Sequence, residues 1–182
     1  LEIVAELSDV LFELGQFRES LTLAQSFATQ FPDLAGARDL RISLTENFES
    51  LFLDGKADKL DPISALALYY EFKDLTPIGP DGDRMIRKLA NRLIAFDLLD
   101  PATELLAHQV DNRNLIGAGR AQIAADLAAI YLLGDRPEEA LRTLSTTRQM
   151  GLDDETRLER RLLEAAAHME LQRFGHAIEL LE

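Results

Sequence analysis

Glu164 and His168 stand four residues apart, the spacing that puts a carboxylate and an imidazole on one face of a helix and makes half of a metal site. The remaining histidines are His108 and His176, and neither brings a second ligand pair into register. The pair therefore reads as a solvated or partly packed contact, and no metal is expected. Asp81-Gly82-Asp83 has the look of a calcium loop's opening, but the later oxygen ligands and the closing Glu do not follow. It reads instead as a turn and cap for a helix opening at Arg84. The sequence contains no G-x-S-x-G, no Gly-rich phosphate loop and no H-E-x-x-H, and it contains no cysteine for disulfides or thiolate ligands. No catalytic residue and no cofactor is expected.

One polar cluster stands out against the composition. Arg84, Arg87, Lys88, Asn91 and Arg92 put a basic face on one helix of a chain with 32 acidic and 19 basic residues. A formal charge of −13 opposes binding to polyanions, because sequence-independent affinity for nucleic acid comes from Lys and Arg neutralising phosphates. Nucleic acid and anionic lipid are thus poor partners. The cluster itself has two readings: a solvated stripe offset by nearby carboxylates, or a local positive patch for an acidic or phosphorylated protein segment. On the second, charge reversal at Arg87 and Lys88 should abolish binding without unfolding the chain.

These residues need elements to carry them. With 182 residues and 47% apolar content the chain can bury a sizeable core. Mean hydropathy is slightly negative, and no apolar run approaches the roughly 18 residues that cross a bilayer. The compartment is left open between cytoplasm and periplasm. The chain starts without Met and stops inside an amphipathic pattern, as expected of a segment of a longer protein.

Ile3, Leu7, Val10, Leu11 and Leu14 follow one helix face, Gly15-Gln16 interrupts it, and Phe17 to Phe31 resumes before Pro32. Leu44, Phe48, Leu51 and Phe52 mark a third helix that ends near Gly55. Asp61-Pro62 and Asp100-Pro101 are helix starts, with Asp as cap and Pro at the first position. The helix after Pro62 is apolar on nearly all sides and is expected to be the best covered. Thr76 to Asp83 is a helix-breaking loop through which no helix should pass or start. Further faces follow at Met85, Leu89, Leu93 and Phe96; at Ile123, Leu127, Ile130 and Tyr131; and at Leu158, Leu162, Ala165 and Met169.

Self-similarity turns this series into a repeat. Leu89-Ala90 with Ala102 and Leu106 aligns with Leu127-Ala128, Ala140 and Leu144, and with Glu164-Ala165, Ala177 and Leu181; the copies lie 38 and 37 residues apart. In each, a small residue precedes another by twelve positions, as close crossing of two antiparallel helices requires. Leu7, Ser8, Leu11, Gly15, Phe17, Ser20 and Pro32 resemble the tetratricopeptide repeat, with its Leu-Gly-x-aromatic turn and terminal Pro. Asp97 and Gln172 replace the turn Gly, and no Trp occupies the early aromatic position.

This resemblance implies an all-α fold, a right-handed α-solenoid of antiparallel helix pairs at roughly 1–32, 34–74, 83–112, 116–150 and 154–182. It also implies a concave groove, lined by the first helix of each pair, that binds peptides or proteins without catalysis. By repeat register Arg84, Arg87, Lys88 and Asn91 point into it, followed by Gln122 and Asp126. Arg87 and Asn91 match two positions of the family's carboxylate clamp, whereas Asp126, Glu159 and Leu163 do not supply the rest. Alternatives are self-association into a homo-oligomer through exposed end helices, and a helical platform for an enzyme whose catalytic part lies elsewhere.

Overall fold

A computed structural model describes residues 2–111 and 117–182. The expected pair boundaries at 112 and 116 lie outside the described residues. The helices run in the order α1 (Glu2–Glu13), α2 (Phe17–Gln30), α3 (Ala37–Leu53), α4 (Pro62–Glu71), α5 (Pro80–Ala95), α6 (Leu99–Asp111), α7 (Gly117–Leu133), α8 (Pro137–Thr146), α9 (Asp154–Glu170) and α10 (Phe174–Leu181). Short 3-10 turns at Lys56–Lys59 and Lys73–Leu75 flank α4. Among the described residues there is no strand, and no helix there is long and apolar enough to cross a membrane. The chain divides into two compact units, Leu1–Met85 and Ile86–Glu182.

The turn that joins the two helices of each regular pair has one geometry throughout. Gly15, Asp97, Asp135 and Gln172 all adopt the left-handed backbone conformation. The N–H of each bonds back to a carbonyl three residues earlier (Phe12, Ile94, Leu132, Met169), and the following N–H bonds five residues back (Leu11, Leu93, Tyr131, His168). That is the Schellman arrangement, which satisfies carbonyls a helix end would leave unpaired. Asp97 and Gln172 thus do what the turn Gly does in the first pair, and Asp135 does so although Gly134 precedes it.

The expected crossing residues are buried. Ser8 and Ser20 meet between α1 and α2, where Ser20 Oγ donates to the Ser8 carbonyl at 2.7 Å, Ser8 Oγ donates to the Ser20 carbonyl at 3.2 Å, and the hydroxyls lie 3.0 Å apart. In the second unit Ala90, Ala102, Ala128, Ala140, Ala165 and Ala177 hold the same places and are likewise buried. Ala128, Ala140, Leu144 and Ala167 form a core against which Tyr131, Leu132, Leu141 and Leu163 pack.

The pair formed by α3 and α4 departs from this plan. Its interior is aromatic, with Phe48 to Tyr69 at 6.5 Å and Phe52 to Tyr69 at 6.0 Å between ring centroids. Rings of that size hold the two helices apart where Ser or Ala lets the others cross closely. Asp61 caps α4 by accepting from the Ser64 N–H at 2.9 Å, with Pro62 at the first position, as expected.

Other boundaries shift. The helix expected to start at Asp100-Pro101 already begins at Leu99, because the preceding left-handed turn at Asp97 delivers the chain in helical geometry. The loop expected to exclude helix until Asp83 lets α5 begin at Pro80, whose fixed φ suits a first helical position. Gly82 then lies against the loop; a Cβ there would sit 2.0 Å from the Pro77 carbonyl oxygen. The helix covered on nearly all sides is α7, with Ala121, Ile123, Ala124, Ala125, Leu127, Ala128 and Ile130 buried. By contrast α4 leaves Ile63 and Tyr70 exposed.

Candidate functional site

In the second unit a polar strip runs along the first helices of successive pairs. Arg87 on α5 reaches Asp126 on α7, its Nη2 donating to Oδ1 at 3.1 Å. The Nε atom approaches Oδ2 to 2.5 Å but off the hydrogen-bond direction, so that contact is coulombic. The pair is largely buried, with side-chain exposure of 33% for Arg87 and 20% for Asp126. Burial raises the Asp126 carboxyl above its ordinary range, and the Arg87 hydrogen bond and charge only partly oppose this.

Glu159 on α9 continues the strip. Its carboxyl is raised first by burial and then by the charge of Asp126, while Arg87 pulls the other way. A single guanidinium therefore serves two carboxylates from two neighbouring helices. Gln122, one turn before Asp126 on α7, is half-buried. Lys88 and Asn91 are exposed on α5. Arg84 lies in the first unit, exposed and paired with Asp81 in the first turn of the same helix.

The residues singled out from the sequence are thus distributed unevenly. Arg87 and Asp126 are joined directly, and Arg84 is engaged by a carboxylate of its own helix. The counterpart in the first unit is weaker: Asn47 on α3 donates to Asp9 on α1 at 3.4 Å.

Arg160 escaped the sequence reading. It is 8% exposed, and it ties three helices together. Nη1 donates to the Ala121 carbonyl on α7 at 2.6 Å, and Nη2 to the Leu144 carbonyl on α8 at 2.7 Å and to Thr147 just beyond it. A guanidinium at the end of α8 meets carbonyls that carry the negative end of the helix dipole. Burial lowers its pKa, and Glu164 partly restores it. The signal was available in the repeat register, where Arg160 takes the place of Ile123 on α7 and Met85 on α5. A charged residue at an otherwise apolar repeat position had to find buried acceptors.

The histidines form a separate contact. His168 on α9 and His176 on α10 stack at 5.3 Å between ring centroids. Glu164, the residue spaced to share a ligand with His168, is engaged by Arg148 at 3.1 Å.

Antiparallel helix pairs closed by left-handed turns, repeating with small residues at each crossing, make this an all-α solenoid of tetratricopeptide-like repeats. Among solved structures it resembles the nearly identical TPR-like repeats of a protein assigned as a kinesin light chain in Podospora anserina. That likeness has a TM-score of 0.54 at 21% identity and covers 100% of this chain and 91% of the other. No family model and no curated protein matches the chain.

Proposed function

We propose that the chain is a non-catalytic protein-interaction scaffold, binding a peptide or protein segment along the first-helix strip of its second unit. The observation that carries this reading is the Arg87–Asp126 pair. A buried carboxylate with a raised pKa is held there at a cost, and it occupies the guanidinium that an incoming carboxylate would use. Asp126 acts as a place-holder. An acidic segment competes for Arg87, with Lys88 and Asn91 alongside it. The partner is accordingly acidic or phosphorylated, drawn by the local basic residues of α5 against the long-range repulsion of a chain of charge −13.

The test is fluorescence anisotropy with acidic, phosphorylated and basic peptides of equal length. Arg87→Gln should weaken the acidic peptide about tenfold or more, and Asp126→Asn should tighten it. Equal affinity for acidic and basic peptides, or no response to Arg87→Gln, would overturn the proposal. Reversing Arg87 to Glu is a poor probe, since it would set a third carboxylate beside Asp126 and Glu159 and confuse loss of binding with loss of packing.

A further inference from the structure

Glu159 lies on the α9 side of the polar strip, and among the described residues it makes neither a hydrogen bond nor an ion pair. It is half-buried, and it feels the like charges of Asp126 across the strip and of Glu155 one turn earlier on α9. Arg87 attracts it but is already bonded to Asp126. Arg160 attracts it too, yet that guanidinium spends its N–H groups on the carbonyls of Ala121, Leu144 and Thr147. Asp126, Glu155 and Glu159 thus depend on the single guanidinium of Arg87.

The other charges of α9 point elsewhere. At about 100° per residue, Glu155, Leu163 and Ala166 lie within about 40° of Glu159 on the strip side. Asp154, Arg157, Arg161 and Glu164 lie about 140–160° away round the helix. Arg157 is paired with Asp154, and Glu164 with Arg148. The strip face of α9 is therefore acidic and carries no basic side chain, whereas that of α5 carries Arg87 and Lys88. From α5 over α7 to α9 the charge turns from positive to negative. A half-buried carboxylate beside two others is disfavoured as an anion and gains most from a cation.

We propose that the strip holds a protein segment of mixed charge, with an acidic residue over Arg87 and Lys88 and a Lys or Arg over Glu159 and Glu155. The acidic half rests on Arg87 receiving an acidic group; the basic half is new. Packed helices lie about 8–10 Å apart, so α5 and α9 are separated by about 16–20 Å. An extended chain at about 3.3 Å per residue covers that in about five or six residues, which bounds the spacing of the two charges. Asp126 stays between them. When the acid displaces it from Arg87, the incoming cation becomes its counter-ion.

Fluorescence anisotropy with short labelled Gly/Ser peptides tests this, one carrying Asp, one carrying Lys, and a mixed set with the two charges about two to six positions apart. The best mixed peptide should bind about tenfold tighter than the Asp peptide. The Lys peptide should bind more weakly than either, because Arg87 then stays on Asp126 and repels it. Glu155→Gln/Glu159→Gln should remove the gain of the mixed peptide and leave the Asp peptide no weaker. Glu104→Gln/Glu138→Gln removes equal charge from exposed positions on α6 and α8 and should keep the gain. That control separates the site from the pull of a chain of charge −13 on any cation. Circular dichroism checks the helices, and Glu159→Gln alone replaces the double change if helix is lost. No gain for any mixed peptide, a gain that survives at α9, or one lost equally in the control would each overturn the proposal. If the Asp peptide still responds to Arg87→Gln in those cases, only the α9 half falls. An Asp peptide indifferent to Arg87→Gln would bring down the acidic half and this proposal with it.

Discussion

Arg160 on α9 and Ala121 on α7 are 39 residues apart in sequence and 2.6 Å apart at Nη1 and the carbonyl oxygen. The bond is one arm of a guanidinium that also reaches the end of α8, so one side chain fixes the angle at which a new pair joins the pair before it.

Arg160→Met should therefore cost more than an ordinary surface change. The methionine fills similar volume but leaves the carbonyls of Ala121, Leu144 and Thr147 without their side-chain donor, a loss of about 3 kcal/mol in urea unfolding. Arg160→Lys should recover only part of it, because an ammonium cannot span acceptors on two helices as a planar fork does. A cost below about 1 kcal/mol for the methionine variant would show that the clamp is dispensable.

The left-handed turns make the opposite prediction. Gln172 has φ +57°, where a β-carbon is strained and glycine is not. Gln172→Gly should raise stability by about 0.5–1 kcal/mol, and Asp97→Gly by somewhat less, since Asp tolerates this region better. Thermal unfolding of the two variants against wild type decides the matter; a fall in midpoint for Gln172→Gly would mean that its side chain supplies more than it strains.

The Ser8–Ser20 contact invites a double-mutant cycle. Ser20→Ala alone removes the 2.7 Å hydrogen bond to the Ser8 carbonyl and the hydroxyl–hydroxyl contact, and should cost about 1 kcal/mol. Ser8→Ala/Ser20→Ala recreates the Ala-Ala crossing of the second unit and should lie close to wild type. Additive losses from the two single changes would contradict a coupled pair.

The repeat was legible because its determinants are local. Twelve-residue spacing of small side chains and helix-face periodicity both survive in the linear sequence, and both recur in the structure. The turn residues were legible only as substitutions: nothing in Asp97 or Gln172 announces a left-handed conformation, which is imposed by the hydrogen bonds closing around it. The helix limit at Leu99 moved for the same reason, since the neighbouring turn geometry outweighs the local cap, whereas that at Pro80 follows from the fixed φ of the proline itself. The α3/α4 pair resisted because Phe48, Phe52 and Tyr69 set their packing by ring shape rather than by a repeated spacing. On the polar strip the sequence brings out the basic residues on α5, but the partner of Arg87 comes from 39 residues away on a different helix, and that of Arg84 from its own helix. A row of arginines read along one helix thus looks more positive than it is.

Tyr69, packed among phenylalanine rings in the α3/α4 pair, has an experimental use that follows from its burial. The chain contains no Trp and three Tyr, of which Tyr69 and Tyr70 fall in the first unit and Tyr131 in the second. Near-ultraviolet dichroism of the tyrosines therefore reports on each unit through its own chromophore. Replacing Tyr131 with Phe would silence the second unit, so that the melting of the first could be watched alone.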